Sequence, residues 1–288
     1  MLVNPCARDL LGRAEKVLDY DLLQRYRDAD DDYSEYAQVA FLVNCLALAQ
    51  WSERTMDAPP VACAGASFGG KAAAVHAGAL AFEDAVWMTA RMARCETEYF
   101  AEHHQDVVTH SFARTPWETL DPILRDLAEQ GEWYDISCYI DADFYMVSLR
   151  EEKVAWLEER LRAASGLPIY TMRPPMHCAV FAPLRDRVEE EVVGRLEFRD
   201  PELPFVADQD GSVLTTAAQV RATLLDGYVR PVRWPAVIEG LRGLGVGRLH
   251  VCGPDALFGR VGCTVAAFEV VNVLPRNVMR PRGGRPAA

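Results

Sequence analysis

Residues 61–80 read VACAGASFGGKAAAVHAGAL, and Gly65-Ala66-Ser67-Phe68-Gly69 within them is a Gly-x-Ser-x-Gly pentapeptide. An apolar run precedes it and an alanine-rich run follows. Small residues on both sides of a serine let the backbone turn sharply from strand to helix, lifting the hydroxyl above the sheet as a nucleophile. The same five residues also make an ordinary glycine-rich turn, and the pentapeptide alone leaves both readings open. A serine nucleophile needs a base. The histidines are His76, His103, His104, His110, His177 and His250. His76 lies nine residues along the helix after Ser67 and should point away from it. His103 and His104 fall at a helix end, where solvation or capping accounts for them. His110 and His250 sit in strand-like runs, as structural histidines do. His177 differs, because RPPMHCAVFAPL places it after a strand, in a proline-stiffened loop that opens a helix. The carboxyl ends of strands are where α/β proteins place their sites.

The elements that must position this pair alternate along the chain. ARDLLGRAEKVL and SEYAQVAFLVNCLALAQWSER carry apolar residues at three- and four-residue spacing and predict helices. RDADDDYSE between them reads as a solvated acidic loop. VACAGA is a short strand, and a helix should begin near Gly70. AFEDAVWMTARMARCETEYFAEHH is a long helix with Glu83 and Asp84 in its first turn, where carboxylates suit the helix dipole. The rhythm then changes to strand DVVTHSFA, helix WETLDPILRDLAEQG, a hairpin through YDISCYIDADFYMVSL, helix EEKVAWLEERLRAASG and strand LPIYTMR. That order is ferredoxin-like. The predicted class is α/β: a large α/β-hydrolase-like subdomain with a mostly parallel sheet, plus an inserted ferredoxin-like small subdomain. The large catalytic subdomain is assigned to residues 1–105 and 174–275, the small one to 106–173, and a mobile basic tail to 276–288.

Composition removes several classes. A net charge of −12 argues against a general nucleic-acid binder, which needs clustered lysine and arginine. The eight cysteines are scattered with no C-x-x-C pair, which suggests a reducing compartment, no disulfide framework and no metal site. No signal peptide leads the chain, and AQVAFLVNCLALAQW is too short and interrupted to span a bilayer. A soluble, cytoplasmic protein without a membrane partner is expected.

Several segments together resemble the malonyl-CoA:acyl carrier protein transacylases and the acyltransferase domains of polyketide synthases. GASFGG stands at their G-H-S-x-G-E motif, HCAVFAPL resembles their H-S/C-x-x-M-x-P element, and YVRPVRWPAVIEGLRGLGVGRLHVCGP matches their P-V-R-W segment and G-P-G turn. The resemblance implies acyl transfer through an ester on Ser67, with His177 as base and the backbone N–H of Phe68 holding the oxyanion. It implies no bound cofactor, since the acyl groups travel on phosphopantetheine or coenzyme A. The implied partner is an acyl carrier protein, with a polyketide synthase beside it. It also implies that a carbonyl or amide near the Gly253-Pro254-Asp255 turn orients His177, with the Asp255 side chain either bearing on the histidine or solvated.

Departures from the family pattern carry information about substrate. Where malonyl-transferring members bind the malonyl carboxylate through an arginine, an ungapped count from the serine reaches Met92; Arg91 and Arg94 should point elsewhere on the helix. PPMH precedes the histidine position, and Met92 with Met176 suggests an apolar, adaptable acyl pocket, unless both simply pack in the core. Ala66 and Gly70 replace the motif's histidine and glutamate. The family's opening strand and glutamine loop have no counterpart before the first helix, which would remove one oxyanion donor. Three readings stand: a stand-alone, trans-acting acyltransferase moving a non-malonyl group, as relatives in macrolactam pathways move aminoacyl or dipeptidyl groups; an editing acyl hydrolase; and a non-catalytic carrier-binding relative. Arg114, Arg173 and Arg260 are the candidate contacts to an acidic carrier protein.

Overall fold

The computed structural model describes residues 4–29, 33–254 and 257–278. Helix α1 (Pro5–Leu18) starts behind Asn4, whose side chain accepts the Cys6 N–H at 2.8 Å, with Pro5 in the first turn where its missing N–H costs nothing. Asp21 caps α2 (Leu22–Asp28), and Ser34 caps α3 (Glu35–Glu53). Helix α2 was not anticipated, and it absorbs Arg27 and Asp28 from the expected acidic loop; Asp30, Asp31 and Asp32 lie outside the described residues. Helix α3 is apolar on most sides and is buried accordingly. After β1 (Cys63–Ala64) come α4 (Gly69–His76) and α5 (Phe82–Glu102), the latter with Glu83 and Asp84 in its first turn as expected.

The small subdomain runs β2 (Val107–Ala113), α6 (Trp117–Glu129), β3 (Tyr134–Asp141), β4 (Phe144–Arg150), α7 (Val154–Ala163) and β5 (Leu167–Met172). Its sheet order is β5–β2–β4–β3, antiparallel throughout, which is the ferredoxin-like arrangement expected. The chain returns through α8 (Ala182–Glu191), β6 (Phe205–Val206), β7 (Val213–Leu214), α9 (Ala217–Asp226), β8 (Val232–Arg233) and α10 (Trp234–Gly243). It closes with β9 (Arg248–Cys252), α11 (Gly262–Ala267), β10 (Glu269–Val273) and α12 (Pro275–Val278). The first residues of the proposed tail are therefore helical, and residues 279–288 lie outside the described set. Strand β8 pairs in parallel with β3 and extends the small sheet from the large subdomain.

The large subdomain's sheet is in two pieces. Strands β1 and β6 pair in parallel and β7 joins antiparallel, while β9 and β10 form a separate parallel pair. Ala62 and Ala64 on one side and Leu249 and Val251 on the other face a cavity of about 880 Å³. Among the described residues no strand precedes α1. Helices α1, α3, α4, α5, α8 and α9 share one apolar core. A second core lies inside the small subdomain. A third joins Cys138, Ile140 and Met146 of the small sheet to Val206, Trp234 and Val237, so the two subdomains meet through buried apolar contact.

Candidate active site

Ser67 stands between β1 and α4 with φ +52°, in the left-handed region that side chains other than glycine rarely occupy. Gly65 explains how so tight an elbow closes: a Cβ there would lie 2.1 Å from the Gly69 carbonyl oxygen and 2.7 Å from the Gly70 nitrogen. Ser67 Oγ and His177 Nε2 are 2.9 Å apart, across 110 residues of sequence. His177 also has a left-handed backbone, φ +64°, in the loop between β5 and α8. Left-handed backbone at both partners is the kind of local strain that clusters at functional sites.

His177 is 5% exposed, and burial pushes its pKa down to about 4. The ring is therefore neutral at pH 7 and able to accept a proton. The backbone carbonyls of Gly227 and Arg230 lie near the ring and oppose that shift, although no hydrogen bond of good geometry reaches Nδ1. Both carbonyls lie just before the P-V-R-W segment, residues 231–234. The sequence placed the orienting group at the Gly253-Pro254 turn; the structure instead sets the loop before β8 beside the histidine, and Asp255 lies outside the described residues. Phe68 caps α4 in helical conformation, and no carbonyl among the described residues takes its N–H. A helix N-terminus with an unspent N–H beside the serine suits a developing oxyanion.

Other sequence candidates fall elsewhere. Met92 is buried on the inner face of α5, and Met176 packs against the same core. Both are thus part of the helical core, and neither is on the wall of the 880 Å³ cavity. Arg94 pairs with Glu35 on the surface, as its helical position predicted. His110 and His250 are structural, with ring nitrogens 2.9 Å from the Thr171 hydroxyl and 2.8 Å from the Ser52 hydroxyl. His76 Nε2 faces Glu53 at 3.6 Å, away from the serine. Arg114 and Arg260 are exposed and form no ion pair among the described residues, whereas Arg173 pairs with Glu151 and donates to the Gln105 carbonyl at 3.0 Å.

Sequence reading missed two features. The Ser67 N–H donates to Asp208 Oδ2 at 2.7 Å; this carboxyl is 5% exposed, and burial raises its pKa to about 6. Behind the elbow, Gln38, Lys71, Glu96 and Tyr228 form a buried polar cluster. Lys71 inside the alanine-rich run was the one sequence signal for it. Among the described residues no group of three or more histidine, cysteine, aspartate or glutamate side chains is placed to hold a metal ion, and no helix is long and apolar enough to cross a membrane.

Comparison with known proteins places the fold among acyltransferases. The family described as VinK acyltransferase small domain matches residues 111–172, within the small subdomain. A malonyl CoA-acyl carrier protein transacylase of Salmonella typhimurium is 25% identical over 258 residues, 87% of this chain and 81% of that protein. A malonyl-transacylase solved in complex with a type II polyketide synthase acyl-carrier protein superposes with TM-score 0.83, at 24% identity over 96% of this chain and 93% of that one. The acyltransferase domain from the second module of the salinomycin polyketide synthase gives TM-score 0.76, at 23% identity over 95% of this chain and 64% of that one. The last two are likenesses of fold.

Proposed function

We propose that this chain, a member of the acyltransferase family that contains the malonyl-CoA:acyl carrier protein transacylases, moves a non-malonyl acyl group between carrier-bound thioesters through an ester on Ser67. The observation that carries the reading is the 2.9 Å contact between Ser67 Oγ and a buried, neutral His177. In the first half-reaction Ser67 Oγ bonds to the thioester carbonyl carbon as its proton passes to His177 Nε2. The carbonyl oxygen gains negative charge facing the Phe68 N–H. The carbon–sulfur bond then breaks, and the thiolate leaves with the proton returned by His177. In the second half-reaction a phosphopantetheine thiol gives its proton to His177 and attacks the ester, regenerating the Ser67 hydroxyl. The donor and acceptor are read as acyl carrier proteins or coenzyme A, as the relatives' names indicate for those proteins.

The non-malonyl assignment rests on Met92. An ungapped count from the serine puts this thioether where malonyl-transferring members carry the arginine that pairs with the substrate carboxylate, and a thioether cannot form that pair. Intact-protein mass spectrometry after mixing with malonyl, acetyl, longer acyl and aminoacyl thioesters tests the proposal. The expected result is a neutral or aminoacyl adduct that is absent in Ser67→Ala and passes to an added holo carrier protein. His177→Ala should slow adduct formation by about 10²–10⁴-fold, the usual contribution of a positioned base. A stable malonyl adduct overturns the specificity, release of the acyl group to water in the presence of carrier favours the hydrolase, and no adduct with any donor removes the enzyme reading.

A further inference from the structure

The turn around the nucleophile satisfies part of its backbone by itself. The Ala66 carbonyl accepts the Gly69 N–H and the Ser67 carbonyl accepts the Gly70 N–H, both at 2.9 Å. The Ser67 N–H has no carbonyl acceptor among the described residues and donates instead to Asp208 Oδ2 at 2.7 Å. Burial pushes the pKa of this carboxyl up to about 6 and the Ser67 N–H opposes the rise, so the group is mostly ionised at pH 7. A buried charge is costly. Here it forms a charge-assisted hydrogen bond, the stronger kind, to a residue whose left-handed backbone sets the direction of its own Oγ.

Asp208 is itself fixed, and the segment that fixes it reaches the base. Its carbonyl accepts the Arg233 N–H of β8 at 2.7 Å. It opens the turn between β6 and β7, which the Gly211 N–H closes onto the Ala207 carbonyl at 3.0 Å. Gly211 has φ +74°, and a Cβ there would lie 2.1 Å from the Ala236 carbonyl oxygen, so the turn is pressed against α10 with no side chain between. Gln209 is 4% exposed, and its amide donates to the Thr223 carbonyl at 3.1 Å, the same carbonyl that takes the Gly227 N–H at 3.1 Å. Asp210 Oδ2 accepts from Arg230 Nη2 at 3.1 Å. Gly227 and Arg230 are the residues whose carbonyls lie beside the His177 ring, and between them the Tyr228 carbonyl accepts the Cys178 N–H at 3.1 Å. Three consecutive residues thus hold the serine's turn on one side and the histidine's neighbours on the other.

We propose that Asp208 is a positioning residue for acyl transfer: its carboxylate holds the Ser67 elbow, the turn it opens holds the loop beside His177, and together they set the nucleophile against its base. This inference rests on the acyltransferase reading and adds a residue to its machinery. Asp208 touches neither the substrate nor the reacting atoms. What it supplies is an acceptor at a fixed place, without which the Ser67 N–H is unpaired and the left-handed turn is free to carry Oγ away from Nε2.

The test follows labelling of Ser67 by an alkyl fluorophosphonate, read by intact-protein mass spectrometry, because this probe needs no knowledge of the acyl group. The Oγ–phosphorus bond forms, the phosphorus–fluorine bond breaks, fluoride leaves and the serine proton passes to His177. Asp208→Leu removes the acceptor without leaving a hole, and an apolar residue in place of a buried charge is often neutral or stabilising, so its thermal melt should match the native protein or exceed it. Its labelling rate at saturating probe should nevertheless fall by about tenfold or more, the size of effect that a small misplacement of reacting groups produces, with the half-saturating concentration little changed. Asp208→Asn offers a carbonyl oxygen at the same place and should recover the native rate to within about threefold. Asp208→Ala serves if Asp208→Leu does not fold. Native-like labelling of Asp208→Leu overturns the inference, as does a rate in Asp208→Asn as low as in Asp208→Leu, or a loss confined to the half-saturating concentration. If those results come from an enzyme whose Ser67 is acylated by thioesters, the acyltransferase reading stands and this inference alone falls. If neither the probe nor any thioester modifies Ser67, both fall.

Discussion

The Ser67 N–H and the Asp208 carboxylate meet at 2.7 Å across 141 residues of chain, which ties the strained elbow to the end of β6. Burial gives Asp208 and His177 opposite shifts, to about 6 and about 4. Their consequences for stability also oppose each other. His177 is neutral in the fold over a range where the unfolded chain would protonate it, so the stability it retains above pH 6.5 is lost as pH falls towards 4. Asp208 takes up a proton in the fold at a pH where the unfolded chain would not, so its contribution is largest below 3.8 and is lost as pH rises through 6. Asp208→Asn keeps an oxygen for the Ser67 N–H and removes only the titration. Thermal or urea unfolding of both proteins should show the native chain gaining on the variant by on the order of 3 kcal/mol between pH 7 and pH 4. A difference that does not change with pH would mean that Asp208 does not titrate in this window. No motif announces Asp208, because an aspartate after PFVA looks like any residue leaving a strand; only the pairing of β1 with β6 brings it to the serine.

At the scale of elements, the elbow depends on one glycine more than on its neighbours. A Cβ on Gly65 would meet backbone atoms of Gly69 and Gly70, whereas one on Gly70 would first meet a flexible Leu224 methyl at 3.4 Å. Gly65→Ala should therefore cost about 1–3 kcal/mol, as overpacking does, and should displace the start of α4 enough to abolish Ser67 acylation. Gly70→Ala should have the smaller effect on both, as thermal melts and the mass assay would show; equal effects would mean that the close approach at Gly65 is not what holds the turn. The same contrast explains what the sequence made legible. The small subdomain was readable because its strands and helices are long enough for periodicity to show, and Gly131, the Asp141-Ala142-Asp143 turn and Gly166 punctuate it. β7 and β8 are two-residue strands, which no periodicity can reveal, whereas the equally short β6 falls inside LPFVAD, an apolar run that reads as a strand. The polar cluster escaped for a different reason: Gln38 and Glu96 look like surface residues of amphipathic helices until three helices close over them.

Across the whole molecule, the proposed acyl carrier partner, expected to be acidic, would meet a chain of net charge −12. At moderate ionic strength exposed charges interact over roughly 10 Å, so local charge at the docking face matters more than the total. Arg114 follows β2 in the small subdomain, and Arg260 lies between β9 and α11 in the large one. Both are exposed without an ion-pair partner among the described residues. Arg173 is already matched by Glu151 and offers less unscreened charge. Reversing Arg114 and Arg260 to glutamate should therefore slow transfer to or from a carrier protein by about tenfold, chiefly through the association rate. Arg173→Glu should do less. Loading from N-acetylcysteamine thioesters, which have no protein to dock, separates carrier docking from chemistry. Added salt should slow the native enzyme's carrier-dependent step and narrow its advantage over the double variant. If charge reversal leaves carrier-dependent transfer unchanged, the carrier docks elsewhere, and the two arginines are ordinary solvated surface residues.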